Sequence, residues 1–196
     1  IGDTLQLTSV NSTDSMPFIN ATYPVINRIS LSGSGYVFIG KSGTTEASSL
    51  SRLAVPDSAP VITKENFVSA KMLITPSTPY YAFGDTTGNQ LSFKVFKVVK
   101  VWSTTATPDT ITDDYIDKSK TLASYSGNIP LQDSASVISL DFDRDQIIEW
   151  FNLRKQYGNA NDTLNYGIAF VPDINSNVIR RFASGSVGAM DSSRFA

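Results

Sequence analysis

Twelve residues, LSFKVFKVVKVW (Leu91 to Trp102), constrain the fold more than any other part of the chain. Leu91, Phe93, Val95, Lys97, Val99 and Val101 fall on one side of an extended backbone, and Ser92, Lys94, Phe96, Val98, Lys100 and Trp102 on the other. Side chains of a strand alternate between faces, so a period of two predicts β-structure. Apolar residues on both faces place this strand in the centre of a sheet. FVSAKMLITP repeats the pattern with one buried face, Val68, Ala70, Met72 and Ile74, opposite Ser69, Lys71 and Leu73.

Shorter strands are predicted on either side. VINRISLSGSGYVFIG reads as two strands around Gly33-Ser34-Gly35, and SSLSRLAV alternates until Pro56 stops it. SVISLDF, NYGIAFVP and VIRRFAS are further candidates, whereas STTATPDTITDDYIDKSK reads as a polar connection. Many short strands with Gly and Pro turns predict an all-β chain: an antiparallel β-sandwich of jelly-roll type with one short α-helix. Residues 1–24, rich in Asn, Ser and Thr, are expected to form an extended arm or an edge strand, and residues 25–196 the sandwich domain.

The helix falls on DFDRDQIIEW (Asp141 to Trp150). Its four acidic residues invite a calcium reading, but an EF-hand loop needs Gly at position 6 and Glu at position 12. Gln146 and Glu149 break that spacing. A capping box explains the run better: Asp143 accepts a backbone N–H as N-cap, Gln146 reaches back, and Asp145 meets the positive end of the helix dipole. Ile147, Ile148, Trp150 and Phe151 then form the apolar stripe, Arg154 and Lys155 occupy the last turn, and Gly158 ends the helix. A surface Ca²⁺ site on Asp141, Asp143 and Asp145 stays as the minor reading, with structural Ca²⁺ the only cofactor it leaves open. Trp102 and Trp150 are assigned to the core.

Function classes are narrowed by what is missing. The sequence contains no histidine and no cysteine, which removes the commonest general base and metal ligand, the thiol nucleophile and any disulfide framework. Sixteen basic residues against eighteen acidic ones leave no electrostatic footprint for nucleic acid. No apolar run is long enough to span a bilayer as a helix. The chain begins at Ile1 rather than Met, so a mature or trimmed product is expected. Low charge with abundant Ser and Thr suits a β-rich protein outside the cell.

In order along the chain, Ser51-Arg52-Leu53, Ala70 to Leu73, then Val95, Val98 and Trp102 are followed by Asp141 to Trp150. Asn165-Tyr166-Gly167-Ile168 and Arg181-Phe182-Ala183-Ser184 complete the series. Over residues 28–190 this order resembles the bacterial and archaeal surface modules called DNRLRE domains, which are similar to carbohydrate-binding module family ninety-six. The resemblance implies a secreted jelly-roll sandwich, some of whose relatives bind acidic or neutral polysaccharides. The family closes with a P-x-L-x-V strand, whereas this chain ends at SSRFA. Either the sequence is cut short, or the sandwich lacks a strand that another segment or subunit supplies, which would leave a sheet edge open to strand addition.

Seven of the fifteen aspartates begin an Asp-Ser or Asp-Thr tripeptide ending in an apolar residue or Thr, at Asp3, Asp14, Asp57, Asp85, Asp109, Asp133 and Asp162. This is similar to the O-glycosylation signal of Bacteroidota envelope proteins, where surface lipoproteins share the layout; the same dipeptides also favour turns.

Three functions are weighed. A non-catalytic module for glycan binding or adhesion at the cell surface needs an aromatic platform, for which Tyr80, Tyr81, Tyr115 and Tyr125 in predicted loops are candidates. Those tyrosines equally serve to cover the ends of a sandwich. A structural subunit of a surface complex or filament would use the open edge and recognise a protein. An enzyme would need a pair of carboxylates, and the spacing of Glu46, Glu65, Glu149 and the aspartates singles out none. The expected partner is thus a polysaccharide or a surface protein, met outside the cell.

Overall fold

In the computed structural model the described residues are 36–52, 61–77, 80–103, 106–107, 109–129, 137–157 and 166–183. The proposed N-terminal arm, the Gly33-Ser34-Gly35 turn, Gly158 and the side chains of Arg154 and Lys155 lie outside them. So do Leu53, Asn165 and Ser184, and the tripeptides at Asp3, Asp14, Asp57, Asp133 and Asp162.

Among the described residues ten strands and one α-helix follow in chain order: β1 (Tyr36–Ser42), β2 (Thr45–Ala47), β3 (Ser49–Ser51), β4 (Lys71–Ile74), β5 (Ala82–Gly84), β6 (Gln90–Val98), β7 (Ile116–Asn128), β8 (Ile138–Asp141), α1 (Arg144–Tyr157), β9 (Ile168–Pro172) and β10 (Val178–Ala183). Every named ladder is antiparallel. One sheet runs β2-β1-β10-β5, a second β3-β9-β6-β7, and β4 pairs with β8.

The β4–β8 ladder belongs to the first layer. Just beyond β4, Pro76 bridges Phe182, the Ala183 N–H donates to the Thr75 carbonyl, and the Ser77 N–H donates to the Arg181 carbonyl. The chain after β4 therefore continues the edge of β10 that β5 begins. One layer then reads β1, β10, β4 with β5, and β8; the other reads β3, β9, β6 and β7. This is the eight-position wrapping of a jelly roll, an all-β antiparallel sandwich with one helix. All eight positions are filled by described strands, and β10, the last of them, lies between β1 and β5 inside its sheet; the closing strand expected to be missing after Ser184 falls outside the described residues.

The alternating patterns set the interior. Leu91, Phe93 and Val95 of β6 are fully buried against Ile39 of β1, Val178 and Phe182 of β10 and Phe170 of β9. Phe93 meets Phe170 edge-on at 5.9 Å. Each such side chain contributes on the order of 1.5–3 kcal/mol of hydrophobic stabilisation. The central position predicted for β6 is observed, because β9 and β7 flank it. Its pairing ends at Val98, and Val99 and Val101 are exposed.

α1 joins the core through Ile147, Trp150 and Phe151, and the Trp150 ring lies 5.8 Å from Phe142. Trp150 is in the core as expected. Trp102 is not: it is half-buried, its indole Nε1 donates to the Tyr166 carbonyl at 2.7 Å, and the Arg52 guanidinium lies 5.0 Å above its ring. Arg52 Nη2 also donates to the Trp102 carbonyl at 2.6 Å. Trp102 thus acts as a latch tying the residues after β6 to those after β3 and before β9, three of the segments that carry the family resemblance.

β7 corrects another expectation. IDKSK was read as the end of a polar connection and Tyr125 as a loop residue, yet both lie in β7, the longest of the described strands. Between Lys97↔Asp117 and Phe96↔Thr121 the ladder skips Lys118, Ser119 and Lys120, a bulge that interrupts the sheet edge with two lysines. Few residues of this edge strand face the core, so its sequence carries little apolar alternation.

Candidate functional site

The three aspartates of the calcium reading diverge. Asp141 faces Lys71 at 3.4 Å, Asp145 lies 3.8 Å from Lys64 and 3.3 Å from Arg144 Nε, and Asp143 accepts from Lys120 Nζ at 2.8 Å. Arg144 is the first cause that holds the Asp145 carboxyl below its ordinary range, with Lys64 next. Asp143 also accepts the Gln146 backbone N–H at 2.8 Å, the N-cap bond expected of it. Gln146 does not return the bond as expected, since its side-chain amide donates to Glu149 at 3.1 Å. Among the described residues no group of three or more acidic side chains could hold a metal ion.

The carboxylates weighed for catalysis are likewise engaged one by one. Glu149 pairs with Lys97 at 2.7 Å, Glu46 lies 4.0 Å from Lys41 on the neighbouring strand, and Thr63 holds the Glu65 carboxyl below its ordinary value.

The four tyrosines do not converge. Tyr115 closes the short 3₁₀ turn Asp113–Tyr115, with Lys100 Nζ 5.3 Å above its ring. Tyr125 turns inward from β7 onto Phe93, ring centroids 5.7 Å apart, and burial pushes its hydroxyl pKa up, partly offset by the Arg180 charge. Arg180 itself points into the sandwich and donates Nη1 to the Ile129 carbonyl at 2.6 Å. Tyr80 is half-buried beside Tyr81. Tyr81 alone occupies a platform.

That platform is the outer face of the first layer. In β1, Val37 and Ile39 face the core, so Tyr36 and Phe38 face outward. In β10, Val178, Arg180 and Phe182 are the inward set and Ile179, Arg181 and Ala183 the outward one. In β5, Ala82 packs on the core and Phe83 faces out, as does Tyr81 just before it. The register Phe38↔Arg181 and Ile179↔Phe83 sets these residues side by side.

Their contacts are specific. The Arg181 guanidinium lies 4.4 Å over the Tyr36 ring and 6.0 Å from the Tyr81 ring, and Tyr81 meets Phe38 edge-on at 5.7 Å. Ser77 Oγ fixes Arg181 Nε at 2.7 Å. Tyr36, Tyr81 and Phe83 remain 39%, 42% and 47% exposed despite these contacts. Sequence reasoning missed Tyr36, Phe38, Phe83 and Arg181. The available signal was YVFI, where apolar residues on both faces of a strand imply an outer face with work beyond solubility.

Among the described residues no helix is long and apolar enough to cross a membrane. No family model, curated protein or solved structure matches the chain.

Proposed function

We propose that this chain is a non-catalytic, extracellular glycan-binding or adhesion module that recognises sugar through the outer face of its first layer. The observation that carries the reading is the cluster of Tyr36, Phe38, Tyr81 and Phe83 with Arg181 on the outer face of the sheet, three of whose rings are 39–47% exposed. Aromatic rings stack on the C–H faces of sugars while polar groups at their rims take hydroxyls. The resemblance to DNRLRE modules, the jelly-roll wrapping and the scarcity of charge agree with a cell-surface setting, including an outer-membrane lipoprotein.

Area argues for a small occupant. Three rings of roughly 150–250 Å² each, exposed by 39–47%, leave roughly 200–300 Å² of aromatic surface. A stable protein interface buries about 800 Å² per partner.

Affinity electrophoresis through gels containing β-glucan, xylan or mannan tests the proposal. Retardation of the protein by at least one polymer, lost in Tyr81→Ala/Phe83→Ala with an unchanged melting temperature, supports it. No retardation by any polymer, together with a stoichiometric protein partner, favours instead a structural subunit of a surface assembly, joined through a sheet edge.

A further inference from the structure

We propose that Thr86 Oγ1 is a modification site that carries an O-linked sugar, attached by a separate glycosyltransferase. Of the seven Asp-Ser/Thr tripeptides, two lie among the described residues, Asp85-Thr86-Thr87 and Asp109-Thr110-Ile111. Aspartate favours turns on its own account. What needs a reason is the hydroxyl residue that follows it.

Turn formation accounts for Asp85. Its Oδ1 accepts the backbone N–H of Thr87 at 2.9 Å and of Gly88 at 3.0 Å, and the Asn89 N–H donates to the Asp85 carbonyl at 3.0 Å. Asn177 Nδ2 donates to Asp85 Oδ2 at 3.0 Å, and Asn89 Nδ2 donates to the Thr86 carbonyl at 2.5 Å. These bonds are built from the backbone and from Asp85, Asn89 and Asn177; the Thr86 side chain is not one of their partners. Thr86 stands exposed between Asp85 and Thr87, which are exposed as well.

Three other aspartates make the same kind of bond to an N–H two or three residues on: Asp117 to Ser119, Asp143 to Gln146 and Asp173 to Asn175. The residues that follow them are Lys118, Arg144 and Ile174. A turn of this sort therefore needs its aspartate and is indifferent to the next side chain. Turn propensity explains the Asp of the tripeptide and leaves the Thr at position 86 unexplained.

Thr110 is the internal contrast. Its hydroxyl donates to the Thr107 carbonyl at 2.8 Å and accepts the Thr107 N–H at 2.9 Å. A sugar on Oγ1 would replace the hydroxyl proton by carbon and remove the donor. Thr110 thus has a local structural role that modification would damage, as hydroxyls in turns commonly do. Thr86 sits instead on a turn whose backbone is already pinned, where a bulky polar group extends into water. In the transfer Thr86 Oγ1 bonds to the anomeric carbon of a diphosphate-activated sugar. The bond from that carbon to the diphosphate oxygen breaks, the diphosphate leaves with the electron pair, and the hydroxyl proton passes to a base of the transferase.

Peptide mapping by mass spectrometry, with electron-transfer fragmentation, tests the proposal on protein purified from the cells that naturally make it. The expected result is a sugar mass on Thr86 and an unmodified Thr110. In the same cells Thr86→Ala should lose that mass while Thr86→Ser and Thr110→Ala keep it, and Thr86→Ala stripped of no other group should melt with the unmodified recombinant protein. An unmodified Thr86 in the native protein, or a sugar on Thr110, overturns the proposal.

Discussion

Replacing Asp143 separates the two meanings of the acidic run at the start of α1. The carboxylate accepts the Gln146 N–H and the Lys120 ammonium, both at 2.8 Å. Losing an N-cap acceptor costs about 1 kcal/mol. Losing a half-exposed lysine partner adds roughly 0.2–1 kcal/mol. Asp143→Ala should then cost roughly 1.2–2 kcal/mol, which at about 2–4 °C per kcal/mol lowers the melting temperature by roughly 2–8 °C. Asp143→Asn keeps the capping oxygen, loses only the charge facing Lys120, and should fall by no more than about 4 °C. Asp141 has an 85% exposed side chain against Lys71, so Asp141→Asn should fall within about 2 °C of the parent. Scanning calorimetry of the four proteins, each with Ca²⁺ and with EDTA, reads all of this. If Asp143→Asn were as harmful as Asp143→Ala, or if EDTA destabilised the parent but not the variants, the carboxylates would be metal ligands and the capping argument would be refuted.

Other perturbations have equally definite outcomes. Gly40→Ala and Gly167→Ala each force Cβ to about 2 Å from a backbone oxygen at positive φ and should cost at least ~2 kcal/mol in urea unfolding. Gly43→Ala, at φ +58° with nothing within 4 Å, should cost only about 1 kcal/mol. Trp150→Ala empties a core site that is 1% exposed and should lose roughly 3–5 kcal/mol in the same assay. Burial raises the Tyr125 pKa above its unfolded value of 10.0. The neutral phenol therefore stabilises the folded state fully below about pH 10, and that contribution is lost as pH rises through the higher folded value. Melting temperatures measured from pH 8 to 11.5 should show a smaller alkaline decline in Tyr125→Phe than in the parent.

Strands buried on at least one face were legible because burial writes a period of two into the sequence. β6 and β4 declare themselves through Leu91, Phe93, Val95, Met72 and Ile74, and β9 and β10 through equally apolar runs. The helix was legible from its cap and its stripe. β7 was not, because Lys118, Ser119 and Lys120 form a bulge at a sheet edge and only a few of its residues reach the core. β2 and β5, with three residues each, are too short for a period to register. Val68, assigned to a buried face, is 67% exposed because pairing begins only at Lys71.

The candidate site was legible in only one residue of its cluster. Tyr81 was one of four tyrosines read in predicted loops, but Tyr36, Phe38, Phe83 and Arg181 come from strands far apart in sequence. The jelly-roll wrap makes them neighbours by laying β10 between β1 and β5. Periodicity shows which face a residue takes; it does not show which strands share that face. Tyr115 and Tyr125 look equivalent to Tyr81 in the sequence and are separated from it by the thickness of the sandwich, Tyr125 facing inward and Tyr115 lying beside the other layer.

The most direct measurement is a titration of the isotope-labelled protein with the best-retarding soluble polysaccharide, followed residue by residue by nuclear magnetic resonance. Shifts confined to Tyr36, Phe38, Tyr81, Phe83, Ile179 and Arg181 and their backbone neighbours are the predicted result. Shifts centred instead on β7 or on the turns at the ends of the sandwich, with this face silent, would contradict the account.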